Sequence, residues 1–142
     1  MNITMNLKPD RSENVSYDIA AHPIYIRKGY LSYYLNYSAE AHWHDDIELI
    51  YILSGKMLYN INGETVLLKE KEGIFINARQ LHFGYSDDQT ECVFLCILLH
   101  PLLLCASDLI AEKFVSPVLT NTLFPYHHLT MQCDWEKRIL DN

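Results

Sequence analysis

The chain of 142 residues is 49% hydrophobic and 20% charged, and its formal net charge is −7 with histidine neutral. This length and composition suit one globular domain with a sizeable core and exclude a largely disordered chain. The acidic balance repels phosphate backbones, so these residues are not expected to bind nucleic acid directly. The N-terminus lacks the apolar core of a secretory signal, and no apolar run reaches membrane-spanning length, which predicts a cytoplasmic protein with no membrane partner.

The chain begins with residues 1–16, which are polar, show no periodicity and are predicted to form a mobile arm able to fold over a ligand. Two strands are predicted next, over residues 17–27 and 30–37, because both stretches are rich in β-branched and aromatic residues. Lys28-Gly29 offers a turn between them.

Five tyrosines fall close together in this part of the chain: Tyr25, Tyr30, Tyr33, Tyr34 and Tyr37. Their flat apolar rings and polar tips suit a wall around a sugar or another small organic ligand, with Tyr34 as the candidate ligand-binding residue. Ordinary packing explains the same density and is the favoured interpretation, because aromatic residues are generally enriched in strands.

The central stretch, residues 42–55, is read as a strand that carries two histidines and a glutamate. Because strand side chains alternate between faces, His42, His44 and Glu48 would point the same way. His82 follows a second apolar run, residues 74–77, and a β-barrel could bring it beside them. These four residues are the candidate ligand-binding residues, and they match the chemistry of a divalent transition-metal site for Zn, Ni, Mn or Fe. Structural histidines are the alternative interpretation.

The strongest local signal is Asn62-Gly63, which predicts a tight antiparallel hairpin between residues 56–61 and 64–68. A charged turn at residues 69–72 precedes a strand over residues 73–77. Residues 92–99 are apolar on both faces, which predicts a strand covered on both sides.

The C-terminal part is predicted to be partly helical. Ser107 is a plausible N-cap for a short helix over residues 108–114, ended by Ser116-Pro117. His127 and His128 are read as loop residues that point apart, and residues 135–142 as an opening helix. The four cysteines show no CxxC spacing and are expected to be reduced and mostly buried.

The spacing of His42, His44, Glu48 and Gly55 resembles the first motif of the cupin superfamily. The second motif of that family, counted outward from His82, departs from the pattern. The positions of its glycine, proline, second glycine and final asparagine are occupied by Lys71, Asn77, Arg79 and Ser86. This departure predicts that a divalent metal is taken up weakly or not at all.

Several segments taken together resemble the N-terminal cupin-type domain of AraC-family transcription regulators. They are residues 42–51, Gly55, residues 60–63, residues 73–77 and Leu81-His82. The similarity covers about residues 17–115. It implies an all-β, cupin-like double-stranded β-helix, or jelly-roll barrel, with a short C-terminal helical segment. The division expected is an arm at 1–16, a ligand-binding barrel at 17–100 and a helical segment at 101–142 that leads to a missing DNA-binding domain.

The resemblance implies a domain that binds a small effector, often a sugar, and pairs two subunits, with DNA contacted only through the helix-turn-helix domain absent from this chain. The rival interpretation is a metal-dependent cupin oxygenase or isomerase that uses the same four residues. No P-loop, GxGxxG, nucleophile elbow or HExxH motif is present, so phosphoryl, hydride and acyl-transfer chemistry find no support.

Overall fold

The computed structural model describes residues 2–17 and 21–142, and it is built mainly from antiparallel strands. The strands are β1 Ile24–Tyr30, β2 Ile47–Ser54, β3 Lys56–Ile61, β4 Glu64–Lys69, β5 Gly73–Ile76, β6 His82–Tyr85, β7 Val93–Leu99 and β8 Tyr126–Leu129. Three short helices follow β7: α1 Asp108–Ile110, α2 Ser116–Leu119 and α3 Asp134–Asp141. The predicted all-β, cupin-like class with a short C-terminal helix is therefore confirmed.

The described strands form two sheets, one in the order β1-β7-β2-β5-β8 and the other in the order β4-β3-β6. Every pairing is antiparallel. The sheets share one apolar core, to which β2 contributes Ile50 and Ile52 and β3 contributes Met57 and Ile61. Strand β3 alternates between buried and less buried residues, which is how an antiparallel strand buries one side.

The hairpin at Asn62-Gly63 is confirmed, with β3 and β4 paired from Lys56↔Lys69 to Ile61↔Glu64. Asn62 and Gly63 have φ values of 52° and 93°, and two positive φ angles in succession match the twist of the flanking strands. The Gly63 backbone N–H also donates to the Asn60 side-chain oxygen over 3.0 Å.

The predicted turn at Lys28-Gly29 is wrong, because β1 runs straight through both residues and pairs with β7 from Ile24↔Leu99 to Tyr30↔Val93. Gly29 provides close approach here: a Cβ atom at this position would lie 2.5 Å from the Phe94 ring. The predicted second strand is also wrong, since residues 31–37 form two 3-10 turns in which Asn36 and Tyr37 have positive φ. Part of the predicted first strand, residues 18–20, lies outside the described residues.

The C-terminal segment follows the prediction at its start and departs from it later. Ser107 caps α1, accepting a hydrogen bond from the Ile110 backbone N–H over 3.2 Å. The helical path then passes through a π-helical turn, Ala111–Val115, into α2, so Ser116-Pro117 does not end it. Proline is tolerated there because it occupies the first turn of α2, where a backbone N–H is not needed.

His127 and His128 belong to strand β8 and not to a loop, which corrects the sequence prediction. Their side chains diverge: His127 contacts Glu136 of α3 at 2.8 Å, and His128 contacts Glu72 at 2.9 Å. The predicted opening helix is confirmed as α3.

The residues of the predicted arm that the structure describes lie against the barrel. The Ser12 backbone forms a parallel bridge with Trp43, and the Glu13 N–H donates to the Trp43 carbonyl over 2.9 Å. Across residues 2–17 and 21–142, no helix has both the length and the apolar character required to cross a bilayer.

Candidate functional site

Four buried side chains converge inside the barrel: His42, His44, Glu48 and His82. Glu48 lies on β2, whereas the two preceding histidines come before a bend at residues 45–46, so the predicted continuous strand from 42 is wrong. His42 is instead held by its own backbone pairing with His82, with two N–H···O bonds of 3.1 and 2.9 Å. That bridge brings His82 beside the others, as the sequence argument expected.

Glu48 is the centre of the cluster. One carboxylate oxygen, Oε2, lies 3.0 Å from His44 Nε2 and 2.7 Å from His82 Nε2. The other, Oε1, accepts a hydrogen bond from the Tyr59 hydroxyl over 2.9 Å, and the Cys96 thiol lies 3.7 Å away. Both oxygens of a fully enclosed carboxylate are therefore satisfied, as burial of an anion requires.

Each histidine is oriented by a backbone carbonyl of its own neighbourhood. The Nδ1 atoms of His42, His44 and His82 lie 2.7, 3.0 and 2.7 Å from the carbonyl oxygens of Glu40, Asp46 and Gln80. A carbonyl can only accept, so each Nδ1 carries a proton and donates. In a neutral ring this leaves the lone pair on Nε2, the atom that points into the cluster, and this is the tautomer that binds metals.

The electrostatics of the cluster favour ionised Glu48. Burial alone would raise the pKa of this carboxyl, but contacts with His82 and His44 hold its pKa well below the usual value. Burial also opposes a charge on His44, yet the hydrogen bond and charge of Glu48 raise the pKa of His44. Burial and the neighbouring His82 lower the pKa of His42 to about 4, so this ring is neutral at pH 7.

The donor set fits a divalent transition metal. The four ligand atoms lie within 4.8 Å of one another, which makes them a group able to hold one ion. Three imidazoles and a carboxylate suit Zn, Ni, Mn or Fe. The Nε2 atoms of His44 and His82 lie close to Glu48, and a hydrogen bond there requires a second proton on rings that already carry one at Nδ1. A metal bound at Nε2 would remove the need for that second proton.

The second cupin motif departs from the family pattern in sequence, but two of its glycine positions have a backbone conformation that suits glycine. Lys71 and Arg79, which stand where the family has glycine, adopt φ values of 68° and 65°. This left-handed conformation is the one that favours glycine. Asn77, at the family's proline position, instead donates to the carbonyls of Val118 and Phe124 over 2.8 and 3.0 Å.

A cavity of about 80 Å³ opens beside the cluster, with His42, His44 and Glu48 in its wall. Of the five tyrosines singled out from the sequence, Tyr25 and Tyr34 line this cavity, and Tyr34 is among the residues in contact with the core. The rest of the wall is largely apolar, formed by Leu31, Ile50, Met57, Phe94 and Leu98.

Sequence reasoning missed three polar residues of this site. Tyr59 and Cys96 alternate inward on β3 and β7, so strand period could have indicated them once their strands were known. Glu13 lies in the arm, where no local periodicity shows that its carboxylate reaches 3.7 Å from His42 Nε2.

Comparison with known proteins places this geometry in a family. Residues 28–117 match the family model for the AraC-like ligand binding domain. The chain is also 31% identical over 119 residues to YdeC of Bacillus subtilis strain 168, described as an uncharacterized HTH-type transcriptional regulator. That match covers 84% of this chain and 40% of YdeC, so the chain spans less than half the length of this relative.

Solved structures with a similar fold include an RmlC-like cupin from Shewanella frigidimarina NCIMB 400. Its sequence identity is 15% and its TM-score is 0.49, and the match covers 56% of this chain and 68% of that cupin. The polyketide cyclase RemF from Streptomyces resistomycificus has 26% identity, a TM-score of 0.49, and 56% coverage of each chain. The family match spans most of the chain and agrees with the motif seen in residues 42–82. This chain therefore belongs to the family of AraC-like ligand-binding domains.

Proposed function

We propose that this domain binds a small polar effector in the barrel cavity and passes the binding event to a DNA-binding domain of a longer regulator. The observation that carries the proposal is the buried cluster of three histidines and Glu48, of which His42, His44 and Glu48 line a largely apolar cavity inside an AraC-like ligand-binding domain. Buried polar groups aimed into an otherwise apolar cavity fix the orientation of a ligand and select it. A cytoplasmic location belongs to this proposal, since the regulated DNA is there.

The size of the cavity limits the effector. About 80 Å³ is small beside the roughly 300–1,000 Å³ of typical ligand pockets, so the site as it stands accepts a ligand of few atoms. A sugar would enter only if part of the cavity wall moved. Met5 of the N-terminal arm forms part of that wall, and the arm is the segment best placed to move. For signalling, the effector must bind the two arrangements of the domain with different affinity.

We further infer that the four clustered side chains hold a divalent transition metal, which would supply open coordination positions for the effector. The degenerate second motif argues for weak uptake, but the three carbonyl-oriented histidines favour binding. Elemental analysis of protein dialysed against Zn²⁺, Ni²⁺, Mn²⁺ or Fe²⁺ tests this inference.

The binding test is calorimetry with a panel of sugars and related metabolites, on protein with and without added metal. Replacement of His44 or Glu48 by Ala should weaken effector binding by about 1–3 kcal/mol per buried polar contact while the domain stays folded. A gel shift with the same protein should detect no DNA binding at physiological salt, because the net charge is −7. Tight DNA binding by these residues alone would contradict the sensor assignment.

A metal-dependent oxygenase or isomerase is the second candidate, and the donor set itself favours it, since three histidines and one carboxylate leave coordination positions open. Stoichiometric metal accompanied by turnover of a substrate would establish this alternative. Metal-supported ligand binding without turnover would exclude it in favour of the sensor.

A further inference from the structure

We propose that Glu13 supplies a fifth donor to the metal centre, delivered from the N-terminal arm to the side of the cluster that Glu48 leaves open. The inference rests on the proposed metal centre and names the residue that completes it. It also limits the ligand class, because a second carboxylate changes the charge that an effector meets.

Glu13 lies outside the group of four whose ligand atoms are within 4.8 Å of one another, and it approaches that group through His42. Its Oε2 lies 3.7 Å from His42 Nε2, which is too long for a hydrogen bond. Two atoms that bind one ion at about 2.1 Å each can lie up to about 4.2 Å apart, so 3.7 Å is compatible with common coordination. His44 and His82 face Glu48, whereas His42 faces Glu13, so the two carboxylates approach the cluster from different sides.

The arm is built to hold this carboxylate in place. Glu13 N–H donates to the Trp43 carbonyl over 2.9 Å, and Trp43 N–H donates to the Arg11 carbonyl over 3.0 Å. The Trp43 indole N–H adds a bond of 2.9 Å to the Asp10 carbonyl. Since Trp43 lies between His42 and His44 in sequence, the same backbone that positions two ligands also positions Glu13.

The burial and charge of Glu13 call for a cation. Its side chain is 20% exposed and lines the same cavity as His42 and Glu48. Glu13 and Glu48 bring two carboxylates to one largely buried cavity, and burial of like charges is costly without a cation. With a divalent cation bound, the net charge of the ion and the two carboxylates is zero. A neutral centre should accept a neutral, hydroxyl-bearing ligand in preference to an anion.

The test is titration of the metal-free protein with Co²⁺, followed by visible absorption, in the unaltered domain, Glu13→Gln and Glu70→Gln. Glu70 is exposed in the turn between β4 and β5, so its replacement makes the same charge change away from the cavity. We expect Glu13→Gln to lower Co²⁺ affinity by at least roughly 10-fold, the lower end of the range found for groups that only support metal ligands, and to alter the absorption bands. Glu70→Gln should match the unaltered domain in both respects.

A second measurement separates a donor from a merely structural residue. Azide added to the Co²⁺ form should shift the absorption bands of Glu13→Gln at concentrations at least 10-fold lower than for the unaltered domain, because the anion then meets a net positive centre. Thermal melts must show that the variant is folded. Equal Co²⁺ affinity, bands and azide response in Glu13→Gln and the unaltered domain would overturn the role of Glu13 alone. Failure of the unaltered domain to bind Co²⁺ would overturn the metal centre as well.

Discussion

At the scale of single residues, Glu48 holds the buried cluster together. Tyr59, His44 and His82 all depend on its two oxygens, so its loss would leave three buried polar groups without their partner. In metal-free protein, Glu48→Ala should lower the free energy of unfolding by about 3–5 kcal/mol, the cost of breaking a buried charge pair from one side. Urea denaturation measures this loss. Glu70→Ala is the control and should stay within about 0.5 kcal/mol of the unaltered domain, because its side chain is exposed.

The cysteines allow a test of burial residue by residue. Cys92 is fully buried, and burial raises the pKa of its thiol to about 12, whereas Cys133 is exposed. Since the thiolate is the reactive form, iodoacetamide at pH 8 should alkylate Cys133 in the native protein and reach Cys92 only after unfolding. Peptide mass spectrometry distinguishes the two sites. Early labelling of Cys92 would contradict the position of this residue beside β7.

At the scale of secondary-structure elements, two glycines show where sequence prediction succeeds and fails. Asn62-Gly63 was readable because positive φ at a hairpin is a local property of the chain. Gly29 was misread as a turn because its role depends on Phe94, a residue far along the sequence on the neighbouring strand. Local sequence patterns thus predict where turns and strands lie. Contacts between strands can be predicted only when it is known which strands pair and in which register.

The role of Gly29 can be measured by a double-mutant cycle. Gly29→Ala should destabilise the domain by about 1–3 kcal/mol, because the added methyl group would overlap the Phe94 ring. In a Phe94→Leu background the same change should cost less, since the smaller side chain leaves room. Urea denaturation of the four proteins gives the coupling. If the losses of unfolding free energy in the two single variants simply add in the double variant, Gly29 is required for its backbone conformation and not for its close contact with Phe94.

A buried carboxylate, Glu136, helps to attach α3 to the larger sheet. Glu136 contacts His127 at 2.8 Å and accepts from the Thr130 hydroxyl over 3.2 Å, tying the helix to β8 and the turn after it. Glu136→Ala should therefore speed amide hydrogen exchange in α3 while exchange in β2 and β7 is unchanged. Glu112→Ala, an exposed residue in the π-helical turn, is the matched control. Uniform acceleration across the sheets would show global destabilisation instead.

At the scale of the whole molecule, the class of fold and three of the four clustered residues followed from one stretch of sequence. Strand alternation gave the shared face of His42, His44 and Glu48, although a bend separates the histidines from β2. His82 is expected beside them because it follows the apolar run at residues 74–77 in a β-barrel, and its backbone pairing with His42 fixes it there. Glu13 could not be found in this way, because its approach depends on how the arm folds back onto Trp43.

The proposed homodimer is also a property of the whole molecule, and the structure refines where to test it. Strand β7, which is apolar on both faces, lies between β1 and β2 in the larger sheet, whereas the helical segment that follows exposes Leu109 (71%) and Phe114 (61%). Large exposed apolar side chains near one another favour association.

Sedimentation velocity should show a dimer for the unaltered domain and a monomer for the Leu109→Asp/Phe114→Asp variant. Trp135→Asp, on the separate apolar surface of α3, is the control and should still dimerise. A monomeric unaltered domain at all concentrations would contradict pairing by these residues, and a dimer in the double variant would exclude the helical segment as the interface.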